Sequence, residues 1–241
     1  MSRTLTGRPK SRRRTTTCSD AQLTVAWQAA SLLLGYPDEE LMGRLDLLRQ
    51  ASTRLPDRVG EPLRACVTRL DGVPLAELEA DYVDTFDTRR RHNLFLTYFA
   101  HGDTRKRGMA LLRFKQTYLA SGFELTDTEL PDHLCVVLEY AATIDRDRGR
   151  QLLLDHRAGL ELLRIALGES GSRWAGAVEA VTATLPPLQG DEWDAVRRLA
   201  AAGPPEEEVG LTPYETPAFD PGPARPDGLT ALPMPTFPGA R

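Results

Sequence analysis

The sequence predicts an all-α fold: a single-domain helical bundle over residues 20–202, flanked by two tails. Apolar residues recur three and four positions apart through most of this region, which is the spacing of one helix face. No run alternates apolar and polar residues for long enough to make a convincing strand. Prolines and glycines stand where helices would start and stop. We therefore expect about nine or ten helices and no sheet.

The first four helices are expected before residue 87. The first runs from Asp20, which we expect to cap it, to a stop at Gly35. Asp38 then caps a second helix, in which leucines recur on one face. Two more helices are expected over residues 56–70 and 74–86, each with a proline at its start, where the missing amide hydrogen is harmless.

The second half of the domain is equally helical. Asp103 is expected to cap a helix that ends at Gly122, because a glycine followed by Phe123 is typical of a left-handed helix stop. Another helix is expected to begin at Pro131. Three further helices are expected over residues 146–167, 172–185 and 191–202.

The two tails differ from the domain in composition. Residues 1–19 contain six lysines and arginines and no acid, which predicts a disordered basic arm. The apolar stretch that follows is short and interrupted, so it predicts neither a membrane span nor a cleaved signal. Residues 203–241 hold ten of the 18 prolines and few apolar side chains, which predicts a disordered or extended Pro-rich tail.

Composition excludes some classes of protein. A net charge of −4, with 41% hydrophobic and 27% charged residues, disfavours bulk attraction to nucleic acid or to an anionic membrane. Cys18, Cys66 and Cys135 form no CxxC pair, so neither a disulfide framework nor a zinc site is indicated. We expect a cytoplasmic protein in a reducing compartment, with no direct membrane insertion.

The sequence offers little for catalysis or for metal binding. Its four histidines include no HExxH motif and no pair at helical spacing. No GxSxG, P-loop or GxGxxG sequence occurs. We therefore expect no catalytic residues and no metal site.

The stretch ELPDHL, residues 129–134, combines two acids and a histidine around a proline. If Pro131 takes the first helical position, Asp132 and His133 lie in the first turn, where exposed amide hydrogens favour a charged Asp132 and a neutral His133. Two interpretations stay open. The segment is a helix cap stitched to a neighbouring loop, or Glu129, Asp132 and His133 form a polar rim beside an apolar groove for a peptide.

Cations crowd the start of the Asp103 helix. Arg105, Lys106 and Arg107 lie in its first turn, where positive charge is mildly unfavourable. Either acids at positions 81, 84 and 87 offset them, or an acidic partner does, or they are a solvated charge run. The nearby aromatic residues of LFLTYFAHG, residues 94–102, are typical both of a core and of a peptide groove.

Several long stretches carry a family resemblance. They are SLLLGYPDEEL (31–41), YVDTFD (82–87), LFLTYFAHGDTRKRGMALLRFKQTYLASGF (94–123) and ELPDHLCVVLEYAA (129–142). Together they resemble the delta subunit of respiratory nitrate reductase, the molybdenum-cofactor assembly chaperone of that enzyme, within a broader group of redox-enzyme maturation chaperones. The resemblance covers the chain from about residue 20 to residue 200.

The resemblance implies a cytoplasmic, all-helical chaperone that is not an enzyme. Such a protein binds the apo catalytic (alpha) subunit by its N-terminal segment, delays membrane attachment, and assists molybdenum cofactor insertion without holding the cofactor stably. In the wider group an acidic–Pro–Asp–His motif lies near the peptide groove, which implies a site at Glu129, Pro131, Asp132 and His133. Here Leu130 separates the acid from the proline, where relatives often have them adjacent.

We expect the client segment to bind as a helix in a groove. The expected aromatic lining is Tyr82, Phe86, Tyr98, Phe99, Phe114 and Tyr118. Arg105 and Arg107 are expected to meet acidic groups of the client, and Asp132 and His133 to bond at its ends. Protonation of His133 at about pH 6 would then alter the polar rim and favour release of the client.

Two alternatives stay open. A related chaperone for another molybdoenzyme would share these features. A nucleic-acid-associated regulator would use the arginines at 12–14 and 89–91 as phosphate contacts, although the net acidity and the lack of a helix-turn-helix signature disfavour it. We therefore expect no nucleic acid partner.

Overall fold

The computed structural model describes residues 18–126 and 129–203. Eleven α-helices account for most of these residues. They are α1 (Asp20–Leu34), α2 (Glu39–Ser52), α3 (Asp57–Leu70), α4 (Leu75–Tyr82), α5 (Tyr98–His101), α6 (Arg105–Leu119), α7 (Leu134–Thr143), α8 (Arg146–Asp155), α9 (Arg157–Glu169), α10 (Ala175–Thr184) and α11 (Gly190–Ala202). These residues include no strand, so the predicted all-α class is confirmed.

Local capping explains where the first helices begin. Ser19 caps α1, because its hydroxyl accepts from the amide of Gln22 (3.3 Å) and the Gln22 side chain accepts from the Ser19 amide (2.9 Å). The cap is therefore one residue before the predicted Asp20. Asp38 caps α2 as predicted, with its carboxylate accepting from the Leu41 amide at 2.7 Å.

Three elements differ from the predicted boundaries. The expected helix over 146–167 is two helices, because the chain leaves helical geometry at His156, whose ring packs on Phe114 with centroids 5.1 Å apart. The predicted helix over 74–86 ends as an α-helix at Tyr82 and continues as a π-helical segment, Val83–Asp87. The helix expected at Pro131 begins only at Leu134.

The core centres on α1, which packs against α3, α7 and α10. Trp27 of α1 is fully buried, and its indole N–H donates to the Thr184 hydroxyl at 2.9 Å. The helices approach closely where glycines face them. A Cβ on Gly176 would lie 2.2 Å from the Pro62 carbonyl oxygen, and one on Gly149 would lie 2.3 Å from the Cβ of Ala141. These two contacts fix how α10 meets α3 and how α8 meets α7.

Helix α6 lies at the periphery and buries only a narrow stripe. Its buried residues, Ala110, Phe114 and Tyr118, recur every four positions. Asp103 does not cap this helix and instead pairs with Arg107 (3.2 Å), while Thr104 stands at the cap position. The predicted left-handed stop after α6 is confirmed, because Gly122 has a φ of 73° and the amide that follows it donates to the Tyr118 carbonyl (3.0 Å).

The described residues include part of the predicted basic arm, and none of the helices among them could span a membrane. Cys18 is buried and Ser19 caps α1, so the folded part includes the last two residues of the predicted arm. The rest of the arm and the Pro-rich tail after Gly203 lie outside the described residues and stay predictions. Across the described part of the chain, no helix has both the length and the apolarity needed to cross a bilayer.

Candidate functional site

The ELPDHL segment pairs with the loop that precedes α5. Phe95 and His133 form an isolated antiparallel bridge. The Leu96 amide donates to the Asp132 carbonyl (3.0 Å) and the Leu134 amide donates to the Leu94 carbonyl (2.9 Å). This pairing satisfies buried backbone groups that a helix starting at Pro131 would have satisfied internally. It is the physical reason why α7 begins three residues later than predicted.

Asp132 lies at the centre of a buried polar cluster. Its carboxylate is 0% exposed and accepts from the Thr97 amide (3.2 Å) and from the Thr97 hydroxyl. The Arg107 guanidinium lies 3.6 Å from the same carboxylate oxygen and also donates to the Thr97 hydroxyl (3.2 Å). Asp132 therefore joins the loops before α5 and α7 to the start of α6, and its bonds are internal to the fold. This agrees with the first interpretation, a segment stitched to a neighbouring loop.

The Arg107 guanidinium has two carboxylate partners, and neither is among the acids predicted at 81, 84 and 87. It pairs with Asp103 and Asp132, and it also lies 5.1 Å from the centre of the Phe95 ring, in a cation–π contact. Arg105 is exposed in the first turn of the same helix. A contact of either arginine with a client stays a prediction.

His133 is held by an aromatic contact on one side. Its ring meets Phe95 edge-on with centroids 5.1 Å apart. Burial lowers the pKa of His133 below its ordinary value, and the negative charge of Asp132 partly offsets the effect. A neutral imidazole is thus favoured as predicted, but burial is the cause, because His133 precedes the helix and makes no side-chain cap.

Stability should fall on mild acidification. Burial is the main cause that lowers the pKa of His92, His133 and His156, so below about pH 6.5 the unfolded chain binds more protons than the folded one. We expect the urea midpoint to be lower at about pH 5.5 than at about pH 7.5, and His133→Gln to lose less over this interval than the unsubstituted protein. A midpoint that rises on acidification would contradict the burial of neutral histidines.

All six aromatic residues predicted to line a groove are buried. Tyr82 and Phe86 pack together with Trp174, and Phe114 and Tyr118 pack beside Tyr140. Tyr98 and Phe99 are the buried residues of α5 itself. Two of the rings also fix backbone: the Tyr82 hydroxyl donates to the Leu34 carbonyl (2.8 Å) and the Tyr118 hydroxyl to the Pro131 carbonyl (2.6 Å). In this conformation they support the surface from below.

The exposed residues around this framework are different ones. Tyr36 is 53% exposed and its ring meets Tyr82 edge-on at 5.4 Å. Val83 is exposed beside Tyr82, and Glu129 and Leu130 are exposed before the buried Pro131. We call Tyr36, Val83, Glu129 and Leu130 the Tyr36 face, because the segments that carry them are joined by hydrogen bonds at the end of α1, at Tyr82 and at the start of α7.

Contacts beneath the Tyr36 face connect its parts. The Ser31 hydroxyl donates to the Cys135 carbonyl (2.9 Å), which joins the end of α1 to the start of α7. Burial and then the charge of Glu129 raise the pKa of Cys135 to about 12. Burial, then Cys135 and Asp87, raise the pKa of Tyr82. Burial is the main cause of both shifts, so both groups stay neutral at about pH 7 beneath a surface that is partly apolar.

Sequence reasoning did not single out Tyr36 as a site residue. A signal was present, because Tyr36 stands in a Gly-Tyr-Pro turn between two helices, where an aromatic side chain cannot join the buried stripe of either helix. An aromatic residue that is exposed despite its size is a common feature of binding surfaces.

The described residues also bear on the metal site that was not expected and on the phosphate contacts of the alternative function. Within 18–126 and 129–203, no three His, Cys, Asp or Glu side chains are grouped to hold a metal ion. In the arginine run considered for phosphate binding, Arg89 pairs with Asp84 and Arg91 with Glu169. The arginines at 12–14 lie outside the described residues.

The described residues form an all-helical protein, and the Tyr36 face combines exposed apolar side chains with the exposed carboxylate of Glu129. The family model of the nitrate reductase delta subunit matches residues 52–180. The chain belongs to this family.

Named relatives agree with this membership. Over 161 residues the chain is 41% identical to the nitrate reductase-like protein NarX of Mycobacterium tuberculosis. The aligned region is 66% of this chain but only 24% of NarX. It is 34% identical over 169 residues to the probable nitrate reductase molybdenum cofactor assembly chaperone NarJ of Bacillus subtilis, covering 69% of this chain and 90% of that protein. The corresponding chaperone NarJ of Escherichia coli is 32% identical over 148 residues, which are 60% of this chain and 63% of that protein. The NarJ names are those of assembly chaperones rather than of enzymes, in agreement with the expectation of a non-catalytic protein.

Proposed function

We propose that the protein is a system-specific chaperone for respiratory nitrate reductase. It binds the apo catalytic (alpha) subunit through the N-terminal segment of that subunit, in the cytoplasm, and enables molybdenum cofactor insertion and complex assembly before membrane attachment. The observation that carries this proposal is the match across 90% of the length of a relative named as such a chaperone. The molybdenum cofactor is cargo for the client, so the chaperone itself needs no resident cofactor.

The Tyr36 face is the surface on which we place the client segment. Tyr36, Val83 and Leu130 offer apolar area, and a Tyr side chain orders at small entropic cost because it has few rotatable bonds. Glu129 supplies an exposed carboxylate at the rim, which favours a cation on the client. A segment with an apolar face and a nearby lysine or arginine fits this arrangement in the helix-in-groove manner.

The residues predicted from sequence contribute in two ways under this proposal. Glu129 contacts the client directly. Pro131, Asp132 and His133 shape the loop that carries Glu129, and Asp132 does so through Thr97 and not through the client. The buried aromatic residues hold the face from below. Arg105 is exposed on α6 and meets acidic groups farther along the client, whereas the guanidinium of Arg107 is engaged by Asp103 and Asp132 within the fold.

A binding measurement with matched variants tests the proposal. The probe is a synthetic peptide of the N-terminal segment of the nitrate reductase catalytic subunit from the same organism, titrated into the full chain by calorimetry. We expect saturable binding, with the Kd raised at least about tenfold by Tyr36→Ser. Glu129→Gln should weaken binding less and reduce its dependence on salt.

Leu47→Ser is the matched control, because Leu47 is also an exposed apolar residue but lies on α2. It should leave the Kd unchanged. Equal Kd values for Tyr36→Ser and Leu47→Ser would show that the client does not bind on this face. Tighter binding of N-terminal peptides from another molybdoenzyme would assign the chaperone to that enzyme.

A further inference from the structure

Helix α6 exposes an apolar stripe on the side that faces away from the core. Its buried residues define the inward side. On the opposite side, Met109, Leu112 and Leu119 are 65%, 45% and 58% exposed. With 100° per residue, these three side chains and Gln116 fall within about one quarter of the helix circumference. Such a stripe on the outward side of a surface helix is not explained by packing against residues 18–126 or 129–203.

The spacing of the stripe is that of a helix-pairing seam. Positions 109, 112, 116 and 119 alternate steps of three and four residues, as the two core positions of successive heptads do. Three of the four are apolar, and the fourth, Gln116, is a polar residue of the kind that fixes register in paired helices. Sequence patterning alone did not reveal this seam, because the same helix carries a second apolar stripe that is buried.

The flanks of this seam are cationic on both sides. Lys106 and Arg113 lie on one side and Lys115 on the other, at the positions that face a partner helix across a heptad seam. All three are exposed, and none forms an ion pair with a residue in 18–126 or 129–203. No acidic residue occurs between Arg105 and Leu119. A partner on this seam must therefore supply the negative charge.

We propose that the outward side of α6 binds an acidic amphipathic helix of a protein partner, with apolar residues along the seam and carboxylates along both flanks. A recess of about 470 Å³ between α6 and α8 adjoins the seam, and its charged lining residues are Arg113, Arg148 and Asp155. Arg148 already pairs with Asp145, so Arg113 is the cation in this recess that suits a carboxylate side chain of the partner. The proposal does not rest on the proposed function, because the seam and the Tyr36 face consist of different residues.

The same observations disfavour two other occupants. A second copy of this chain would bring cationic flanks against cationic flanks, which opposes pairing. A planar anionic membrane would match the charge, but Gln116 interrupts the apolar stripe at its centre, and a flat bilayer surface does not fill the recess beside it. A helix that carries acidic flanks satisfies the stripe, the charge and the recess together.

The test uses the full chain and two synthetic helices of three heptads, both with leucine along the seam. One peptide carries glutamate along its flanks and the other carries lysine. We expect the glutamate peptide to bind at least about tenfold more tightly than the lysine peptide, with affinity that falls as salt rises. Leu112→Ser should lower the affinity for the glutamate peptide about tenfold, and Leu47→Ser on α2 should leave that affinity unchanged.

A charge reversal gives the sharpest outcome. The double variant Arg113→Glu, Lys115→Glu should prefer the lysine peptide. The proposal is overturned if neither peptide binds, if both bind equally, or if the reversed variant keeps the original preference. It is also overturned if Leu112 is needed instead for self-association or for binding phosphatidylglycerol vesicles. Tyr36→Ser should bind the glutamate peptide normally, so failure here and failure of client binding are distinguishable.

Discussion

Asp132→Ala should lower the free energy of unfolding by about 3–5 kcal/mol. The substitution removes a fully buried carboxylate that accepts from the Thr97 amide and hydroxyl and faces the Arg107 guanidinium. Arg107 is 14% exposed, so its charge would be left largely without solvent and with the exposed Asp103 as its remaining carboxylate partner. Because these bonds tie α6 to two loops, the loss is expected to loosen the Glu129 loop as well. Urea unfolding followed by circular dichroism measures the effect.

Three further variants separate the lost ion pair from a general loss of structure. Glu129→Ala removes an exposed carboxylate three residues away and should change stability by no more than about 0.5 kcal/mol. Asp132→Ala combined with Arg107→Met removes the uncompensated charge and should recover part of the loss. If Asp132→Ala fails to fold, Asp132→Asn keeps the shape and is expected to cost about 1–3 kcal/mol. A loss below about 1 kcal/mol for Asp132→Ala would mean that the cluster does not hold the fold together.

Gly149→Val should be at least as damaging, with an expected loss of about 4 kcal/mol or more. A Cβ at this position would lie 2.3 Å from the Cβ of Ala141 and 2.6 Å from its Cα. The obstacle includes backbone, so no side-chain rotation relieves it, and α8 must move away from α7. Thermal unfolding or the amount of soluble protein measures the effect.

Gly43→Ala is the matched control for this prediction. Gly43 lies within α2, and no atom stands within 4 Å of a Cβ built there. The alanine should stabilise the protein by about 0.5–1 kcal/mol, because it improves helix propensity and costs no contact. Equal effects of the two substitutions would contradict the close approach of α7 and α8.

Local rules in the sequence predicted most of the helices. The cap at Asp38 and the left-handed stop at Gly122 depend on residues within one turn, and both are confirmed. The late start of α7 was not predictable in this way, because it depends on pairing with residues near Phe95, about 35 positions earlier in the chain. The break at His156 likewise has no glycine or proline to mark it.

For the candidate site as well, unusual residues were predictable from the sequence and their tertiary contacts were not. The sequence identified Asp132 and His133 as unusual, and the neutral form of His133 is favoured as expected. Their contacts were not predictable, since whether a polar side chain faces a groove or a buried threonine is decided by tertiary packing. The aromatic residues illustrate the same limit: closely spaced rings fit a core and a groove equally well, and here they are buried.

The central claim is that this chain binds the N-terminal segment of a nitrate reductase catalytic subunit on the Tyr36 face. Hydrogen–deuterium exchange of the full chain, with and without that peptide, tests it most directly. We expect slower exchange at the turn around Tyr36, at residues 83–87 and at the amides of residues 129, 130, 132 and 133 when the peptide is bound. Binding with slower exchange confined to other parts of the chain, or no binding at saturating peptide, would contradict it.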